Sequence, residues 1–209
     1  MVPPAILLIG PTGSGKTPLG GLLEQRGLGG TRCVHFDFGA ELRAAAGADG
    51  GDACLKPEER RAVAGALDGG ALLDDDQFYI AKKILMAFMA SHDVGGDTVV
   101  VLNGLPRHTG QALGLEPLVR AEVVVTLECT AEVACERIET NAGGDRGVRN
   151  DDVVQAVRAR LETFQKRTVP LVDHYRRRGI RVIALNVGSR TSAVELFHEL
   201  AKRFAEPAG

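Results

Sequence analysis

Five short apolar runs punctuate the chain, at residues 5–9, 33–36, 98–102, 123–127 and 181–185, each bounded by glycine, charge or turn-forming residues. They are nearly continuous in Val, Ile and Leu rather than alternating with polar residues, the pattern of strands covered on both faces. The segments between them are long enough for helical crossovers and too long for hairpins, so the strands are expected to run parallel. The pattern therefore predicts an α/β fold: a five-stranded parallel sheet with helices on both faces.

Helical spacing fills the gaps. Pro18 falls in the first turn of a helix after the first strand, where its missing N–H costs nothing. Asp74, Asp75 and Asp76 precede Phe78, Ile80, Ala81, Ile84, Leu85 and Phe88 and predict an acidic N-terminal cap on an amphipathic helix. From Asp151 onward, Val154, Val157, Leu161 and Phe164 keep the spacing of one buried stripe, which Leu171, Val172 and Tyr175 resume past Pro170. Pro170 itself predicts a kink or break. Glycine-rich stretches at 48–52 and 141–147 read as loops of a single domain spanning 1–209.

Composition narrows the class. With 209 residues, 44% hydrophobic and 25% charged, the chain can bury a real core, and a formal net charge of −2 gives no support to a nucleic-acid polymer as partner. Aromatics make up 4%, so the core must be built from aliphatic side chains. No apolar run approaches the ~18 residues of a membrane span, and no charged leader precedes a short apolar run, which gives the expectation of a cytoplasmic protein with no membrane contact. Cys33, Cys54, Cys129 and Cys135 form no C-x-x-C pair and are expected to be buried thiols, with no zinc. The five histidines show no metal-ligand spacing and are given no role.

The strongest local signal is Gly10-Pro11-Thr12-Gly13-Ser14-Gly15-Lys16-Thr17, which matches G-x-x-x-x-G-K-[ST] between a predicted strand and a predicted helix. Gly10, Gly13 and Gly15 let the backbone curl around phosphate oxygens, and with Ser14 and Pro18 they place those oxygens at the helix N-terminus. Lys16 can reach the β- and γ-phosphates, and the Thr17 hydroxyl can ligate Mg2+, directly or through water. This motif predicts nucleoside triphosphate binding.

Further segments, in order, carry a resemblance. They are His35-Phe36-Asp37-Phe38-Gly39-Ala40-Glu41-Leu42-Arg43, Gly70-Ala71-Leu72-Leu73-Asp74, Leu102-Asn103-Gly104-Leu105-Pro106-Arg107 with Gln111, and Arg149-Asn150-Asp151-Asp152 with Arg160 and the 168–171 segment beyond. Together with the phosphate loop they resemble the nucleoside monophosphate kinases of the adenylate kinase family, in a short-lid form, over nearly the whole chain. The resemblance implies a three-layer P-loop kinase fold with an acceptor-binding helical subdomain at about 37–90 and a short lid at about 138–150. It implies a cytoplasmic, magnesium-dependent monomer that moves the γ-phosphoryl group of ATP to a nucleoside monophosphate.

By position in the matched motifs, the resemblance makes Lys16, Arg107, Arg149 and Arg160 catalytic. It assigns Arg137 to ATP, and Arg43, Arg107 and Gln111 to the acceptor, with Gln111 pointing to the adenine of AMP. Transfer between two anionic nucleotides calls for fixed cations, and the planar guanidinium fork suits phosphate. Against this stands plain solvation, because arginine far outnumbers lysine throughout the chain.

The chain also departs from the family pattern. Asn103 stands where an aspartate helps to organise the magnesium's water shell, which leaves Asp37 or another acid to contribute. Phe38 and Ala40 replace a threonine and an aspartate, Asn141 replaces a lid arginine, and Thr17-Pro18 replaces the usual glycine after the lysine. Two other readings therefore stay open at this point: a nucleotide-binding sensor with little catalysis, and a P-loop kinase for another small acceptor.

Overall fold

In the computed structural model, which describes residues 1–47, 55–68, 75–144 and 154–206, the five apolar runs pair into one sheet. β1 (Pro4–Ile9), β2 (Cys33–Asp37), β3 (Val99–Asn103), β4 (Arg120–Glu128) and β5 (Arg181–Asn186) lie in the order β2-β3-β1-β4-β5. Every adjacent pair is parallel. β1 is central, with Leu7 opposite Leu102 on one side and Val124 on the other.

The alternation along each strand explains why the runs are apolar throughout. Leu7, Phe36, Val100, Leu102 and Val124 point into one buried layer, shared with α4 (Phe78–Ser91), α5 (Thr109–Leu115) and α8 (Val169–Arg177). Ile6, Leu8, Val101, Val125 and Ile183 point into the opposite layer, closed by Leu19 and Leu23 of α1 (Lys16–Arg26) and Leu196 and Leu200 of α9 (Ala193–Ala205). With both faces covered, the residues of each apolar run meet a core on whichever face they point to. α2 (Phe38–Ala46) and α3 (Pro57–Asp68) pack on each other and join the first layer through Leu42, Ala45 and Val63. α6 (Ala131–Glu139) follows β4, and α7 (Val154–Thr163) precedes α8. This is the three-layer P-loop kinase arrangement. The chain leaves β1 for one edge of the sheet and later crosses to the other, so the C-terminal end of β1 sits at a topological switch point, where α/β sheets place their ligands.

Several expectations need adjustment. β4 begins at Arg120, three residues earlier than its apolar run, because β1 supplies pairing partners back to Pro4. α4 is entered through a 3-10 turn, Asp75–Gln77, and its N-cap residue Gln77 makes no side-chain cap hydrogen bond; Asp74 and the side chain of Asp75 lie outside what the structure describes. Pro170 neither kinks nor ends a helix by itself. A π-helical turn, Phe164–Thr168, leads directly into α8 and places Pro170 in its first turn, where no N–H is needed. In the predicted stripe Val157, Leu171, Val172 and Tyr175 are buried, Leu161 and Phe164 are half-buried, and the Val154 side chain is not described. Of the thiols, Cys33 is buried while Cys129 and Cys135 are only half-buried, and all three are unpaired; Cys54 lies outside the described residues. The glycine-rich stretches at 48–52 and 145–147 lie outside them too. Among the described residues, no helix is long and apolar enough to cross a membrane.

Candidate functional site

Residues 10–15 join β1 to α1 at the switch point. Gly13 and Gly15 have φ of 82° and 94°, the left-handed region open chiefly to glycine. A Cβ on Gly13 would also stand 2.6 Å from the carbonyl oxygen of Ala134. The first turn of α1 carries no acidic residue and no side-chain cap, so its positive end faces the loop uncompensated. Lys16 Nζ folds back across the loop and donates to the Gly10 and Pro11 carbonyls at 2.8 and 2.7 Å and to Ser14 Oγ at 3.4 Å. Ser14 is fully buried, and Pro18 sits in the first turn of α1. Curled backbone, helix terminus and ammonium thus converge on one small volume.

Beside the loop lies a polar knot. Asp37 and Asn103 end β2 and β3 and are register partners. Thr17 Oγ1 donates to Asp37 Oδ2 at 2.6 Å. Asn103 Nδ2 faces Thr17 Oγ1 at 3.0 Å, Asp37 Oδ2 at 3.1 Å and His35 Nε2 at 3.4 Å. Asp37 Oδ1 accepts from the Ala40 N–H at 3.0 Å and so caps α2. Burial pushes the Asp37 carboxyl up, but the Thr17 and Ala40 hydrogen bonds and the nearby His35 and Arg43 charges outweigh it and hold the group below the usual carboxylate range. His35 moves below its ordinary value because burial outweighs the attraction of Asp37 and Glu24. Gly20 makes room for that ring: a Cβ there would lie within hydrogen-bond distance of His35 Nε2, far inside contact range.

Arg107 follows Asn103 through Gly104 and the cis Leu105-Pro106 bond and lies within electrostatic reach of Asp37. Its Nε donates to the Gly104 carbonyl at 2.8 Å, and the guanidinium lies 5.7 Å from the centroid of the Phe38 ring, a cation–π contact. Burial, then the like charge of Arg160, bring its pKa down to about 10 against the opposing pull of Asp37, so it remains a cation at neutral pH. Gln111, on α5, is buried, and its Oε1 accepts from the Arg107 N–H at 2.8 Å. Arg43, on α2, is exposed and close enough to Asp37 to lower its pKa. Arg160, on α7, is half-buried. Arg149 lies outside the described residues, as does the 145–150 part of the expected lid.

Arg137 sits differently from its sequence-based assignment. It is 3% exposed, and its guanidinium donates to the carbonyls of Gly13 at 3.0 Å, Gly188 at 2.9 Å, Ser189 at 3.1 Å and Thr191 at 2.8 Å. It ties the phosphate loop to the turn between β5 and α9. Arg137→Ala would strip those carbonyls of their shared donor, and a loss of roughly 3 kcal/mol of unfolding free energy is expected in denaturant melts. Arg137→Lys should recover only part of it, since an ammonium cannot span the same fork. If both variants melt like the parent, the clamp carries no weight.

A cleft of about 260 Å³ opens beside the loop, lined by Pro11, Cys129, Ala131, Leu161, Glu162, Gln165 and Lys166. Among the described residues no group of three His, Cys, Asp or Glu side chains could hold a metal ion alone.

Sequence reasoning brought Lys16, Thr17 and Arg107 to this site and missed two parts of it. His35 was given no role, and the turn at 188–191 was not considered. The only available signals were Gly20 opposite His35 on the next element, and the S-x-x-E capping box at Ser192 and Glu195 that fixes the turn's exit.

No protein-family model matches the chain. Among curated proteins it is similar to the adenylate kinase of Prochlorococcus marinus (strain MIT 9303), 31% identical over 180 residues, covering 84% of this chain and 86% of that one. The adenylate kinase of Synechococcus sp. (strain WH7803) is 34% identical over 183 residues, covering 85% and 87%. That of Stenotrophomonas maltophilia (strain R551-3) is 33% identical over 184 residues, covering 83% and 86%.

Proposed function

The chain belongs to the adenylate kinase family of ATP-dependent phosphotransferases, and we propose that it transfers the γ-phosphoryl group of ATP to a nucleoside monophosphate, AMP in the first place, by direct in-line displacement. The observation that carries this reading is that two cationic centres border one polar knot. The ammonium of Lys16 lies in the loop next to Thr17, and the guanidinium of Arg107 lies over Phe38 within electrostatic reach of Asp37.

The loop amides and the α1 terminus bind the triphosphate, and Lys16 spans its β- and γ-groups. Arg107 holds the acceptor phosphate. Its pKa is lowered first by burial and then by a second guanidinium, Arg160, within electrostatic reach. Two such cations lower their free energy when an anion bridges them, and the phosphoryl group in transit is that anion. Arg149 joins them in this reading. Arg43 steers the acceptor from α2, and Gln111 reads its base, the carboxamide already fixed by the Arg107 N–H. Arg137 serves ATP by holding the loop in shape. Phe38 is 2% exposed and lies beneath Arg107, so its replacement of a threonine supplies a platform for the guanidinium and leaves base recognition to other residues. Residues 37–90 form the acceptor-binding part and 138–150 the short lid, which excludes water as a competing acceptor.

The donors present suit a hard divalent cation: the Thr17 hydroxyl and the Asp37 carboxylate lie together at the end of the loop. Bound Mg2+ would neutralise charge on the phosphate oxygens; Thr17 and Asp37 would hold it from the protein side. We read the enzyme as a cytoplasmic monomer.

The test is a panel of AMP, GMP, CMP, UMP and dTMP, each with ATP and Mg2+ and with diphosphate products resolved by anion-exchange chromatography. ADP formed from AMP at the highest kcat/KM is the expected result. Diphosphate from none of the five refutes the proposal, and tight ATP binding in that case would make the chain a nucleotide sensor.

A further inference from the structure

Resting on the reading above, we propose that Asp37, at the end of β2, is the carboxylate of the magnesium site, and that Asn103, at the end of β3, is the amide that aims it. The family pattern has an acid at position 103, and a neutral side chain there predicts a weakened metal site. The geometry points the other way.

Two acceptors face the Asn103 amide nitrogen. Asp37 Oδ2 offers a lone pair, and Thr17 Oγ1, whose own proton goes to Asp37, can only accept from Asn103; the His35 ring closes the cluster, with Nε2 at 3.4 Å. An –NH2 is the group that satisfies this set, and the orientation of the amide follows from it. A carboxylate at 103 would confront the Asp37 carboxylate across a single register pair, and like charges at such a distance cannot both persist. Asn103 is thus the complement of Asp37.

Asp37 has what the role requires. It is fixed at both oxygens, Oδ2 by Thr17 and Oδ1 by the Ala40 N–H. It touches the one loop hydroxyl suited to a hard cation, and the register places it beside the strand that neighbours β1. The Thr17 oxygen gives its proton to Asp37 and one lone pair to Asn103, which leaves the second lone pair for a metal. Mg2+ is bound in such sites through one or two carboxylates, water and phosphate oxygens.

The experiment compares Asp37→Asn, Asn103→Asp and the double swap with the full-length parent. ATP affinity is measured by calorimetry with Mg2+ and with chelator, and Mn2+ binding to the ATP complex is followed by electron paramagnetic resonance. Asn caps helices as well as Asp, so Asp37→Asn should keep the α2 cap, and a thermal melt verifies it. In the parent, Mg2+ should tighten ATP binding. Asp37→Asn should reduce that gain, and the Mn2+ affinity, at least tenfold, while metal-free ATP binding stays within a few-fold. Asn103→Asp should weaken the metal gain too, although it adds an acid. The double swap, which restores one acid and one amide, should recover most of it. An Asp37→Asn protein with the parental metal gain, or an Asn103→Asp protein with a larger one, overturns the proposal. A parent that binds ATP equally with and without metal also overturns it while leaving ATP binding intact. A parent that binds no ATP under either condition overturns both this proposal and the kinase reading.

Discussion

Lys16→Ala is expected to lower phosphoryl transfer by about three orders of magnitude or more, close to 4 kcal/mol of transition-state stabilisation, with the fold preserved. The fold should survive because all three hydrogen bonds described for Lys16 Nζ stay within the loop, to Gly10, Pro11 and Ser14. The glycine conformations that shape the loop are set by the backbone. The chemistry should fail because charge accumulates on the β–γ bridge and the γ-oxygens as the bond breaks, and Lys16 is the cation of the loop. A fall in kcat much larger than the loss of ATP affinity would mark an interaction made mainly in the transition state. Turnover near the parental value would remove the loop from the reaction altogether.

The strands were legible because burial on both faces leaves a mark that no neighbour can erase: a strand such as 5–9 has no polar position at all. What lay beyond the apolar runs was less so. Arg120 and Ala121 begin β4 because β1 offers partners at Pro4 and Ala5, and that pairing is not written in their own side chains. The π-turn ahead of Pro170 has the same character, since a proline announces only that the regular ladder must change. At the site, the phosphate loop was legible because its chemistry is local. Arg137 shows the limit of such reading. Its sequence neighbourhood marks a basic residue near a nucleotide, but its partners at 188–191 come some fifty residues later, and only the fold turns it into a clamp. Asn103 shows the opposite error. In isolation it is a missing charge, and beside Asp37 and Thr17 it is the donor that two acceptors need.

Arg107→Ala should raise the KM for the acceptor and lower kcat, together costing about 3–5 kcal/mol in kcat/KM, while ATP affinity changes little. The anchoring of Arg107 explains the asymmetry. Nε is engaged by Gly104 and the plane rests on Phe38, so the Nη end of the fork is held in one direction. A held fork has little rotamer freedom left to lose when it grips a phosphate. Arg107→Lys keeps the charge and loses the fork, so it should fall between alanine and the parent. A second readout follows from the pKa near 10, depressed by burial and then by Arg160. The cationic, phosphate-binding form exists below that value and is lost above it, so acceptor kcat/KM should decline as pH rises toward 10. Arg160→Ala removes a like charge, raises the Arg107 pKa, and should move that alkaline limb to higher pH even as it lowers the rate. If Arg107→Ala instead abolishes ATP binding and leaves the acceptor KM unchanged, the two nucleotides have been placed on the wrong sides of the Asp37–Asn103 knot.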